Sequence, residues 1–241
     1  MNDEGSENDS QIFSDSERRG LYRAIYERRD VRSEFVAKPI PDEVLEKLLD
    51  AAHHAPSVGF MQPWSFIVIK NRETRQTVHN IFESAKIAAA DEIYTGDKRD
   101  IYDNLKLAGI VDAPVNVCIV CDPNQTRGGG LGRQTMPETA VYSTVCAVQN
   151  LMLAARAENI GCGWVSILDT DELKNVLGIP AEMVIVAYLC LGYVGKFKTQ
   201  PELAELGWEQ RLPFAETVFF ERFGAKDENA AFFKTAADEE K

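Results

Sequence analysis

Arg28, Arg29 and Arg32 crowd into five residues of a chain that carries 26 Lys and Arg against 38 Asp and Glu, a formal net charge of -12. Like charges this close repel one another unless an anion sits among them, and guanidinium forks match the oxygens of phosphate and carboxylate. A phosphorylated ligand is the natural partner; a solvated helix end, where cations favour the C-terminal dipole, would use the same residues. Asp30 lies inside the cluster, either as an ion-pair partner or as a carboxylate able to move a proton beside a bound ligand.

Two loops offer complementary chemistry. Ala55 to Trp64 (APSVGFMQPW) combines two prolines, a glycine and small polar groups, and presents backbone donors and acceptors to a flat ligand, with the Gln62 side chain able to do both. An ordinary turn into a strand is the plain alternative. In Gly161 to Ser166 (GCGWVS) the glycines, lacking Cβ, allow another backbone or a ring to come close, and Ser166 offers a hydroxyl there. Gly192 to Lys196 (GYVGK) and Arg211 add a late turn and further positive charge.

Other patterns carry little. Gly128, Gly129, Gly130 and Gly132 do not match G-x-G-x-x-G. Cys118 and Cys121 fall within one expected strand, where residues three apart face opposite sides. His53, His54 and His79 lack metal-ligand spacing, so no metal is expected. Five cysteines, an odd number in apolar surroundings, point to reduced thiols and a cytoplasmic setting. The acidic balance argues against nucleic acid and membrane surfaces; no apolar run is long enough to span a bilayer, and the acidic N-terminus is unlike a secretory signal.

The elements that must hold these residues alternate helix and strand. Residues 1–15 read as a disordered acidic tail and 225–241 as a polar one in which Phe232 and Phe233 could dock on a neighbouring surface. Ser16 reads as the N-cap of a helix ending near Arg28 to Asp30. A second helix begins at Pro41 and carries Leu45, Leu48, Leu49 and Ala52 on one face, ending before Pro56. Further helices are expected over 74–90 and 140–157, and strands over 66–69, 113–121, 164–168 and 184–191. The 140–157 helix is apolar on most of its circumference and suits a core or a dimer interface. Residues 91–111, of mixed charge and weak periodicity, read either as a lid or as an irregular surface helix. The whole is one α+β domain over 16–224.

The arginine cluster, the Pro56-Ser57 loop leading to Gln62-Pro63-Trp64, the glycine turn and the late Arg211 resemble, in order and spacing, the flavin-binding pattern of the nitroreductase superfamily. Usual members have Arg-Arg-Ser-x-Arg where this chain has Asp30. With GRQTMPE (132–138), GWVS (163–166) and PELAELGWEQRLP (201–213), that departure is similar to the branch of the superfamily that fragments its flavin. The resemblance implies an α+β homodimer with a central mixed or antiparallel sheet flanked by helices and FMN at the subunit interface. Reduced FMN would be substrate, supplied by a separate flavin reductase and split with O2 into 5,6-dimethylbenzimidazole, the lower ligand of cobalamin, and D-erythrose 4-phosphate. Arg28, Arg29, Arg32 and Arg211 would bind the phosphate and ribityl chain. Pro56, Ser57 and Gln62, with Gly163, Trp164 and Val165, would lie along the ring, and Asp30 and Ser166 beside the reacting atoms. The 91–111 lid would exclude water. The alternatives are an NAD(P)H-dependent nitroreductase or dehalogenase, against which Asp30 in place of Ser argues, and a non-catalytic flavin carrier. An acidic interaction module without a ligand would leave the arginines unexplained.

Overall fold

The computed structural model describes residues 12–226. They divide at Pro201/Glu202 between two compact units. The expected tails lie outside the described residues except for 12–15 and 225–226.

In the first unit, α1 (Asp15–Glu27) is capped by Ser14, two residues earlier than expected. The Ser14 hydroxyl accepts from the Glu17 amide, and the Glu17 carboxylate accepts from the Ser14 amide at 2.7 Å. This reciprocal pair needs a carboxylate three residues after the cap; Ser16 has Arg19 there. Helix α2 (Asp42–His53) follows its sequence pattern, with Leu45, Leu48 and Ala52 buried. Helix α3 (Arg72–Ile93) is longer than the 74–90 expected, because Asn71 caps it by accepting from the Thr74 amide at 3.0 Å.

The 91–111 segment is mostly helical. Helix α4 (Gly96–Asn104) is pinned by Arg99, which donates to the Ala90 carbonyl at 2.7 Å and pairs with Asp91 and Asp103. Tyr94 stacks on the buried Tyr102. Helices α5 (Thr139–Ala157) and α6 (Thr170–Leu177) complete the unit.

Strands β1 (Trp64–Ile69), β2 (Val115–Cys121), β3 (Ile160–Val165) and β4 (Val184–Tyr193) form one sheet in the order β1-β2-β4-β3, every neighbouring pair antiparallel. Alternation along β2 sends Val115, Val117 and Ile119 into a core with α2 and α5, and Cys118 and Val120 into a second core with α3 and α6. Helices thus cover both faces, which is why every residue of β2 is buried. Cys118 and Cys121 do part: Cys121 packs with Met61 and Ala140 in a third cluster.

Strand β3 corrects the expectation of 164–168. It starts at Ile160 and ends at Val165, so Ser166, Ile167 and Leu168 lie beyond it. The two glycines that weaken strand propensity here are required by a neighbouring segment.

In the second unit, the described residues hold α7 (Glu202–Glu205) and a 3-10 turn over Phe214–Glu216. Phe219 packs on Phe223 with ring centroids 4.7 Å apart.

Candidate functional site

The chain leaves α1 at Arg28 in an extended conformation (φ -61°, ψ 136°), and the next residues run beside β3. Asp30 forms a parallel bridge with Cys162, and the Val31 amide donates to the Cys162 carbonyl at 3.0 Å. This contact decides the meaning of the glycines. A Cβ on Gly163 would collide with the Val31 carbonyl oxygen, and one on Gly161 would come within 2.6 Å of Val194 and 3.1 Å of the Val31 side chain. It is backbone, at 163, that the missing side chain admits.

Asp30 is held from two directions. Its Oδ1 accepts from the Trp164 amide at 2.7 Å and its Oδ2 from Arg32 Nε at 2.6 Å, with the Arg32 and Asp30 side chains 15% and 29% exposed. Arg29 Nη1 donates to the carbonyls of Tyr26 and Arg28, both at 2.8 Å, and Nη2 to that of Thr199. Arg29 Nε and Arg32 Nη1 are buried without a hydrogen-bond partner. A buried donor left empty is costly, so two in one cluster mark a place where acceptor oxygens belong. The donor set therefore fits an oxygen-rich anion, such as the phosphate of the flavin that the resemblance implies. Beneath it, burial and then the negative charge of Asp30 push the Cys162 thiol well above its ordinary range, which leaves it an inert packing group. Trp164 is half-buried, Val165 buried, and Ser166 exposed one residue past β3.

The loop before β1 is strained: Gly59, Phe60 and Gln62 have φ of 59°, 53° and 48°. Ser57 Oγ accepts from the Gln62 amide at 3.1 Å, and the Val58 amide donates to Ser143 Oγ of α5 at 3.1 Å. Pro56 is exposed, and Phe60 at the tip is 72% exposed. The glycine tract that fits no dinucleotide pattern supports this loop. A Cβ on Gly128 would strike the Gly59 carbonyl oxygen, and one on Gly59 would lie 2.7 Å from that of Leu131. Nothing in the spacing of the tract announces this role.

The structure does not bring the two halves of the expected site together in one chain. Asp30 bridges Cys162 on edge strand β3, level with Leu191 of β4, whereas the loop enters the opposite edge strand at Trp64, level through Cys121 with Val184. Seven residues of β4 span about 23 Å, and three strand spacings add about 14 Å across the sheet. Arg211 is exposed in the second unit. No His, Cys, Asp and Glu group able to hold a metal ion occurs among the described residues, nor does any of their helices have the length and apolarity to cross a membrane.

Known proteins are similar to this chain in sequence and fold. The family model "Nitroreductase family" matches residues 25–193. A protein of Rhodospirillum rubrum named 5,6-dimethylbenzimidazole synthase is 42% identical over 202 residues, 84% of this chain and 95% of that protein. One of the same name from Rhodobacter capsulatus is 38% identical over 83% of this chain and 96% of that protein. Among solved structures, oxidized iodotyrosine deiodinase bound to FMN and 3-iodo-L-tyrosine superposes with a TM-score of 0.63 at 21% identity, over 80% of this chain and 98% of the other, a likeness of fold. An arginine cluster with empty donors, laid on the edge of a helix-covered antiparallel sheet, is thus found in a chain that belongs to the nitroreductase family.

Proposed function

We propose that the chain acts on reduced FMN and O2 at the interface of a homodimer, yielding 5,6-dimethylbenzimidazole and D-erythrose 4-phosphate. Bound reduced FMN supplies the electrons and the carbon skeleton, and O2 the oxidant. The observation that carries the reading is Asp30, a carboxylate clamped beside the empty arginine donors. The names of the relatives support the same activity.

The residues then divide the work. Arg28, Arg29 and Arg32 bind the phosphate and ribityl end by charge-assisted hydrogen bonds. Residues 163–165 form a wall along the ring, Ser166 offers its hydroxyl at the strand end, and Asp30 takes or gives a proton through its carboxylate oxygens. Helix α4 and its flanks form the cover that excludes water. A separate flavin reductase delivers the reduced substrate, and no metal takes part.

Two features support a shared site. The arginine segment and the Pro56, Ser57 and Gln62 loop stand at opposite edges of the sheet, so a loop from a second copy completes each site. Helix α1 buries none of its residues, yet carries Leu21, Tyr22, Ile25 and Tyr26, 40–71% exposed, and α5 exposes Tyr142 and Val145. Apolar surface of this kind marks an association face.

The test is aerobic incubation of the protein with reduced FMN, followed by chromatography for 5,6-dimethylbenzimidazole. Product from the wild type is expected. Intact FMN with steady NAD(P)H oxidation would instead select a nitroreductase, and intact FMN without it a carrier.

A further inference from the structure

We propose that Ser143 of α5 is a positioning residue of the flavin site, whose hydroxyl fixes the angle at which the loop carrying Pro56, Ser57 and Gln62 meets the flavin of the second copy. The inference rests on the proposed flavin reading and adds to it a side chain that touches no ligand.

Ser143 is buried, and its Oγ–H donates to the Thr139 carbonyl at 2.6 Å, one turn back on the same helix. A hydroxyl has one proton and two lone pairs. With the proton committed to α5, a lone pair is left for the loop, and the Val58 amide donates to it at 3.1 Å. The loop itself is closed into one piece. The Gln62 amide donates to Ser57 Oγ at 3.1 Å, the Phe60 amide to the Ser57 carbonyl at 3.0 Å and the Met61 amide to the Val58 carbonyl at 3.3 Å. Whatever turns Val58 therefore turns Ser57 and Gln62 with it.

Two forces hold this piece on α5, and they do different things. Met61 packs with Cys121 and Ala140, and Val58 lies against them. Apolar contact is non-directional, so it keeps the loop down without setting its angle. A hydrogen bond weakens steeply as it bends, and the bond from Val58 to Ser143 supplies the missing direction. The neighbours of Ser143 show where the loop is aimed. Tyr142 and Val145, 54% and 38% exposed, lie on the face assigned above to the second copy. The first two turns of α5 thus carry both that face and the anchor of the loop that reaches across it.

The experiment compares wild type, Ser143→Ala and Ser143→Thr as full chains. The readings are affinity for oxidised FMN by fluorescence titration, kcat and KM for reduced FMN, sedimentation, and hydrogen exchange at the Val58 amide. Ser143→Ala is expected to weaken FMN binding and raise KM by about tenfold, with kcat within about threefold of wild type, because the loop grips the flavin equally before and during the reaction. It should remain a dimer. Ser143→Thr keeps a hydroxyl able to bond the carbonyl one turn back and should restore affinity to within about threefold of wild type. Should Ser143→Ala not fold, Ser143→Cys, with sulfur as a weak acceptor, carries the same comparison with a smaller loss. Unchanged affinity in Ser143→Ala, an equal loss in Ser143→Thr, or a loss that comes only with dissociation to monomer would overturn the proposal.

A wild type that binds no FMN would overturn the proposed function and leave the tie between loop and helix to the exchange measurement. Exchange at the Val58 amide about tenfold faster in Ser143→Ala is then expected, and an unchanged rate counts against the tie.

Discussion

The carbonyl oxygen of Val31 occupies the space into which a Cβ on Gly163 would project. The close approach lets Asp30 reach the Trp164 amide, so a missing side chain on β3 sets the position of a carboxylate about 130 residues earlier in the chain.

Gly163→Ala should therefore push the 28–32 segment off β3. The expected cost is about 1–3 kcal/mol of stability, as for other overpacked sites, with a loss of FMN affinity. Thermal unfolding and FMN titration of the variant check this; wild-type values in both would show that the segment does not depend on the contact.

Asp30→Asn should leave FMN binding within a few-fold, since the amide oxygen can still accept from Trp164. Product formation should fall by about 100-fold or more, the usual contribution of a placed acid or base. Chromatography of the aerobic reaction reads the product, and an undiminished yield would remove Asp30 from the chemistry.

Tyr22 and Tyr26 stack on the exposed side of α1 with ring centroids 5.9 Å apart. Replacing both with Glu should convert dimer to monomer in analytical ultracentrifugation, and FMN affinity should fall with it. A wild-type chain that sediments as a monomer would refute the shared site.

Alkaline pH should destabilise the protein from about pH 9 upward. Burial raises the Cys118 and Cys190 thiols from 9.0 to about 12. Above pH 9 the unfolded chain loses these protons while the folded chain keeps them. The stabilisation is complete below pH 9 and is lost as pH rises through about 12. Urea titrations between pH 8 and 10.5 should show a falling midpoint, and Cys118→Ala/Cys190→Ala should flatten the fall.

Periodicity exposes the frame of the molecule more readily than its site. Leu45, Leu48 and Ala52 announce α2 because one helix face meets one core, and the apolar run of β2 is visible because both faces of the sheet are covered. The start of strand β3 is hidden by Gly161 and Gly163, which answer to Val194 and Val31, both remote in sequence. The sequence points to Arg28, Arg29, Asp30 and Arg32 as a cluster. It cannot reveal that Arg29 is tied to the Thr199 carbonyl, 170 residues away, nor that Arg32 turns to Asp30. The part played by Gly128 is equally hidden, since it depends on the approach of two loops.

The placement of Asp30 and the Gln62 loop at opposite edges of the sheet has a genetic consequence. If each site takes its carboxylate from one subunit and its loop from the other, two inactive proteins can repair each other. An Asp30→Asn chain and a chain with a disabled loop, co-expressed equally, pair at random, and half of the pairs are mixed. Every mixed pair holds one wholly native site and one doubly defective site, so the blend should recover about a quarter of the native rate. Neither parent can do so alone, and a site contained within a single chain would show no such rescue.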